Sequence, residues 1–122
     1  LDSDLFEICM DISKKNFDPN KVVWNNKNFC FVMMTSEGYP GDYEVGKLIS
    51  GLENVKEYNI IHSGTKKLNK NIFTNGGRVI GVVGEGASMI DAINESYKGV
   101  SKIYFRNSFY RKDIGKRAIN ES

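Results

Sequence analysis

Two prolines, two cysteines, one histidine and one tryptophan are all that 122 residues contain of these types. The cysteines, Cys9 and Cys30, stand apart among apolar neighbours, with neither CxxC spacing nor an adjacent histidine. A disulfide framework and a clustered metal site are thereby disfavoured, and both are expected to be buried thiols in a reducing compartment. Long hydrophobic runs are missing too. The longest, Phe29 to Met34, falls far short of the ~20 residues needed to span a bilayer, and the opening LDSDLFEICMD is acidic rather than signal-like. Neither sign of charge dominates: 17 Lys and Arg against 15 Asp and Glu give +2, with basic residues gathered only in the last dozen positions. That balance argues against a nucleic-acid footprint and against a membrane surface. No internal repeat, low-complexity tract or obvious linker is present.

The remaining composition, 40% hydrophobic and 26% charged, suits one compact domain. The chain starts at Leu1 and runs straight into a helical pattern, which reads as a piece of something longer. Asp2 or Ser3 can cap a helix whose apolar positions Leu5, Ile8, Cys9 and Ile12 recur at three and four and which ends near Asn16. Val22 to Trp24 and Asn28 to Thr35 read as strands, the second apolar on both faces as a central strand should be. Tyr58 to His62 and Arg78 to Val83 are further strands. Lys66 to Leu68 and Asn71 to Thr74 form a hairpin across Asn69 and Lys70. Ser88 caps a helix reaching about Lys102, with Met89, Ala92, Ile93, Tyr97 and Val100 on one stripe. Ile103 to Phe105 is a last strand, and the tail FYRKDIGKRAI shows no clear period. These elements predict an α+β fold, a curved and mostly antiparallel sheet with two helices against it.

Thr74 to Gly86, TNGGRVIGVVGEG, invites a phosphate-loop reading. The dinucleotide fingerprint needs GxGxxG, but Gly81, Gly84 and Gly86 give GxxGxG; a Walker loop needs a lysine that does not follow Gly86. Gly84 and Gly86 therefore read as structural, close-packed positions ahead of a Ser-capped helix. What remains is TNGGR, a turn ending in Arg78, whose planar guanidinium can donate two parallel bonds to a phosphate or carboxylate. His62, in HSGT, has no nearby Asp or Cys to activate it and reads first as a strand-end hydrogen-bond partner. In SEGYPGDYEV, Tyr39 and Tyr43 stand on an irregular loop, which suits either binding or a surface turn folded onto the core edge.

Taken in order, LDSDL, GYPGDYEVG, ISGL, HSGT, TNGGRVIGV and FYRKDIGKRAI closely resemble the C-terminal part of the phosphoribosylamine-glycine ligases, members of the ATP-grasp superfamily. Each motif alone is weak; the ordered set is specific and covers essentially the whole chain. The resemblance implies an enzyme of purine synthesis that joins 5-phosphoribosylamine and glycine, consuming ATP, through a glycyl acyl phosphate. It implies ATP and Mg (or Mn) in the full-length enzyme, with the metal-binding Glu and Asn preceding Leu1, so this chain by itself is expected to be inactive. It also implies a substrate-cleft role for matching residues: Arg78 on a phosphate or carboxylate, Asn75, Gly76 and Gly77 as turn donors, and His62, Thr65, Tyr39, Pro40, Gly41 and Tyr43 facing the same cleft. Related ATP-grasp purine enzymes carry an Arg before a similar run that meets a ribose phosphate. Many family members read VTALG where this chain has VGEG, which removes Gly84 to Gly86 from the chemistry. Arg111 and Asp113 are open between a site role and an internal ion pair. No catalytic residue and no metal ligand is expected within these 122 residues, and a cytoplasmic monomer is expected. The alternative is a non-catalytic small-ligand or protein-interaction domain.

Overall fold

The computed structural model describes residues 1–120. Its centre is a pair of nine-residue strands, Asn28–Ser36 (β1) and Arg78–Gly86 (β6), running antiparallel. Asn59–His62 (β3) flanks β6, and Ser108–Phe109 (β7) flanks the end of β1, giving a four-stranded sheet in the order β3-β6-β1-β7. A second sheet, in the order β2-β5-β4, joins Leu48–Ile49 (β2), Asn71–Thr74 (β5) and Thr65–Leu68 (β4). The β4–β5 hairpin turns at Asn69 and Lys70, with Asn69 left-handed at φ 56°, a conformation asparagine tolerates. The antiparallel α+β architecture is the one the sequence predicts.

One helix packs on the main sheet. Met89–Val100 (α2) begins with a reciprocal cap: Ser88 Oγ accepts from the Asp91 amide at 3.1 Å while Asp91 Oδ2 accepts from the Ser88 amide at 3.3 Å. Its buried stripe, Ala92, Ile93, Ser96, Gly99 and Val100, lies over Val32, Met34, Ile80 and Val82, which alternate along one face of β1 and β6. Each aliphatic side chain buried there contributes about 1.5–3 kcal/mol. The approach is close because Gly84 and Gly99 lack side chains: a Cβ on Gly84 would stand 2.8 Å from Ser96 Cα and nearer still to the Ala92 carbonyl and Ser96 amide. Phe105 completes this core; the polar side chains buried beside it are bonded, Ser96 Oγ to the Ile93 carbonyl at 2.8 Å among them.

Several elements differ from expectation. The first helix is Leu5–Ser13 (α1), capped by Asp4, whose Oδ1 accepts from the Phe6 amide at 2.7 Å, rather than by Asp2 or Ser3. It buries no residue: Leu5 is 63% and Ile12 55% exposed, and Cys9 is exposed while Cys30 is buried. Periodicity predicts an apolar stripe, but only tertiary contact can cover it, and α1 is held instead by polar links to residues 23–25, such as Ser3 Oγ accepting from the Val23 amide at 2.7 Å. Val22 to Trp24 is part of no strand, and Trp24 is 69% exposed. Ile103 to Phe105 makes a single bridge, Tyr104 to Ser50, so the pairing on β1 passes to β7. The tail turns into a short helix, Lys116–Asn120 (α3), which its lack of period did not predict. It is moored by Tyr97, whose hydroxyl donates to the Arg111 carbonyl at 2.7 Å and accepts from the Ile114 amide at 3.1 Å.

Candidate functional site

Because β1 is apolar on both faces but α2 covers only one, the opposite face of the sheet keeps aromatic surface in the open. Phe29, Phe31 and Met33 project there from β1, opposite Glu85, Val83 and Gly81. Phe31 remains 42% exposed, its ring resting on the bare backbone of Gly81. The central-strand reading of FCFVMM is correct for hydrogen bonding; the second face is apolar without being buried.

A register shift on β1 and β6 decides where Arg78 goes. Met34 faces Ile80, whereas the next residue, Thr35, faces Arg78, so Val79 is an extra residue on β6. A bulge of this kind reverses the alternation beyond it. Val79 is fully buried, and Arg78 joins Thr35 on the uncovered face. There it lines a groove of about 400 Å³ together with Phe31, Met33, Tyr39, Phe109, Tyr110, Arg111 and Ile114. Among the described residues no carboxylate lies within ion-pair distance of Arg78 and no hydrogen bond engages its guanidinium. Arg111 is different: its Nε and Nη2 meet Asp113 Oδ1 and Oδ2 at 2.9 and 2.7 Å. That fork raises the guanidinium pKa and holds the Asp113 carboxyl below the usual carboxylate range. Between the two readings open in the sequence, the internal pair is the one formed.

The turn before Arg78 is locked by neighbouring backbone. Ser36 donates twice, amide to the Gly77 carbonyl at 2.8 Å and Oγ to the Gly76 carbonyl at 3.0 Å. The Tyr39 ring covers Gly77 so closely that no Cβ would fit, and Tyr43 leans on Tyr39 with ring centroids 6.1 Å apart. Pro40 and Gly41 are exposed in the same loop. Tyr43 itself opens onto an adjoining depression of about 410 Å³ lined by Glu37, Asp42, Glu44 and Lys47. The Asn75 amide donates to the Gly64 carbonyl at 2.7 Å, so that donor of the turn is already engaged.

HSGT and TNGGR do meet, backbone to backbone, at Gly64 and Gly76, where a Cβ on Gly64 would come within 2.9 Å of Gly76 Cα. Their side chains diverge. His62 sits directly opposite Ile80, on the face that carries α2, with Nδ1 3.0 Å from Thr65 Oγ1; Arg78 belongs to the other face. The structure thus gathers Arg78 and Tyr39 in one groove, places Tyr43 beside it, and leaves His62 and Thr65 at the far edge. Phe31, Met33, Thr35, Phe109 and Ile114 are groove residues that sequence reasoning missed; the one available signal was the two-faced apolar run of β1. Among the described residues no three His, Cys, Asp or Glu side chains gather to hold a metal ion. Nor is any helix among them long and apolar enough to cross a membrane.

Comparison with known proteins agrees with this architecture. Residues 29–117 match the family described as phosphoribosylglycinamide synthetase, C domain. The chain is 41% identical over 117 residues to the phosphoribosylamine-glycine ligase of Fusobacterium nucleatum, covering 93% of this chain and 28% of that protein. It is 40% identical to the trifunctional purine biosynthetic protein adenosine-3 of Gallus gallus, covering 98% of this chain and 12% of that one. The chain therefore spans a little over a quarter of the first relative and an eighth of the second. A crystal structure of phosphoribosylamine-glycine ligase from Thermotoga maritima superimposes with a TM-score of 0.62 at 31% identity, over 68% of this chain and 20% of that one. By sequence, by fold and by the order of its motifs, the chain belongs to the phosphoribosylglycinamide synthetase C domain family.

Proposed function

We propose that these 122 residues are one domain, the C-terminal part of an ATP-dependent ligase that joins 5-phosphoribosylamine to glycine in purine synthesis, and that the face bearing Arg78 is a wall of its substrate cleft. The observation that carries this reading is an exposed guanidinium without a carboxylate or hydrogen-bond partner among the described residues, aimed by a bulge into a groove. A charged donor in such a setting is worth more to an anionic ligand than one already paired. In the proposed reaction the amine of phosphoribosylamine attacks a glycyl acyl phosphate, and Arg78 binds and orients a substrate anion, the sugar phosphate first. Tyr39 supports it by covering the turn that ends at Gly77. ATP and Mg (or Mn) belong, in this reading, to the rest of the ligase chain. Asn75, Gly76, Pro40, Gly41 and Tyr43 shape the surroundings of that wall, whereas His62 and Thr65, expected in the same cleft, pair with each other on the opposite face. The enzyme would work as a cytoplasmic monomer.

The test is kinetic. In a ligase carrying this domain, Arg78→Ala is expected to lower kcat/KM for phosphoribosylamine by about 30-fold, corresponding to ~2 kcal/mol for a charged hydrogen bond. An unchanged kcat/KM would remove Arg78 from the site.

A further inference from the structure

The walls around Arg78 are more apolar than a sugar phosphate requires. Phe31, Met33, Phe109 and Ile114 offer no hydrogen-bonding side chain, and Thr35 Oγ1 already donates to the Phe109 carbonyl at 3.3 Å. Phe31 and Phe109 remain 42% and 59% exposed, so the rings are available to a ligand. The Tyr39 and Tyr110 hydroxyls add polar groups at the groove, but ribose hydroxyls laid against Phe31, Met33, Phe109 and Ile114 would lose water without gaining partners, whereas a flat heteroaromatic ring would cover those side chains and stack.

Charge narrows the choice further. The groove holds two arginines, but Arg111 is neutralised by its two-bonded pairing with Asp113, leaving Arg78 as the groove cation without a partner among the described residues. One guanidinium suits one phosphate better than a di- or triphosphate, whose further charges would meet no second unpaired cation of the groove among the described residues. The volume, about 400 Å³, falls within the range of small-ligand sites.

We infer that the groove is a site for a nucleoside monophosphate, with the phosphate on Arg78 and the base against Phe31 and Phe109, a ligand class that would let a nucleotide compete with a sugar-phosphate substrate for the same arginine. The inference rests on the assignment of Arg78 as an anion contact and adds the base subsite to it. Binding to the 122-residue chain is measured by calorimetry and by backbone amide shifts, with AMP, ribose 5-phosphate, adenosine and inorganic phosphate as probes. AMP is expected to bind on the order of 10-fold more tightly than ribose 5-phosphate, the increment that base stacking on aromatic side chains provides. Shifts should centre on residues 31–35, 78 and 109. Phe109→Ala and the milder Phe109→Leu, each checked for a retained fold by circular dichroism, should bring the AMP to ribose 5-phosphate affinity ratio down toward one; Arg78→Ala should weaken both ligands. Equal affinity for AMP and ribose 5-phosphate, both lost with Arg78→Ala, would overturn the base subsite while leaving Arg78 as an anion contact. Ribose 5-phosphate binding indifferent to Arg78→Ala, or no binding of any probe at millimolar concentration, would overturn both.

Discussion

Replacing Gly84 by alanine tests how α2 is seated on the sheet. The new Cβ would lie 2.8 Å from Ser96 Cα and closer to the Ala92 carbonyl and the Ser96 amide, all backbone atoms of α2. Ordinary contact begins near 3.4 Å, so helix and strand must separate by more than half an ångström, and neither can bend locally without breaking its own hydrogen-bond ladder. Overpacking of this kind costs ~1–3 kcal/mol, and the rigidity of both partners places this case at about 3 kcal/mol. At roughly 4 °C per kcal/mol for a domain of this size, the melting temperature should fall by on the order of 12 °C. Gly81→Ala, three residues along the same strand, supplies the comparison. The nearest atoms its Cβ would meet all belong to the ring of Phe31, a half-exposed side chain rather than backbone, and the expected cost is below about 1 kcal/mol. Differential scanning calorimetry with far-ultraviolet circular dichroism measures both variants. Equal melting temperatures for Gly84→Ala and the parent would refute the view that glycine is there to admit the helix.

Three further outcomes follow from the geometry. Ser88→Ala removes the acceptor of the Asp91 amide and half of the reciprocal cap, and chemical denaturation should show a loss of ~1 kcal/mol; a loss below a few tenths would mean solvent serves the helix end equally well. A native-state thiol titration should modify Cys9 quickly and Cys30 only on unfolding, and equal rates would contradict the placement of Cys30 under α2. Asp113, whose pKa is lowered by its bonds to Arg111, contributes stability above the ordinary carboxylate pKa and loses it as pH falls through the folded value. The difference in stability between the parent and Asp113→Asn should therefore be present at neutral pH and shrink on acidification below about 4, as read by thermal melts across pH; a gap that widens in acid would reverse the assignment.

What was legible in the sequence was what short-range physics decides. Ser88 as a cap, the stripe through Ala92, Ile93 and Val100, and the Asn69-Lys70 turn are local patterns, and α2 and the β4–β5 hairpin follow from them. Gly84 was identified as structural because no nucleotide loop fits its spacing, and its closeness to Ser96 gives the reason. Pairing is another matter. That Thr35 faces Arg78 while Met34 faces Ile80 depends on two strands more than forty residues apart, and nothing within either strand announces it. The groove inherits this: Arg78 was visible as a chemical group, but its neighbours Phe31 and Phe109 come together only once β6 and β7 have both joined β1. The same limit explains α1 and Val22 to Trp24, whose patterns promise burial that residues 28–120 do not supply.

The single tryptophan has a practical bearing on how the unfolding of this chain can be followed. Trp24 lies in the exposed stretch beside α1, outside the core built on Val32, Ile80 and Phe105. Its indole is already in water, so its emission should barely change when that core comes apart. A denaturation curve followed by tryptophan fluorescence would then look flat for a protein that is unfolding, while tyrosine absorbance, with Tyr58 and Tyr97 packed on the core, would track the transition. The same silent residue becomes useful in the opposite setting: any surface that settles over α1 should shift the indole emission to the blue, with no contribution from the domain beneath.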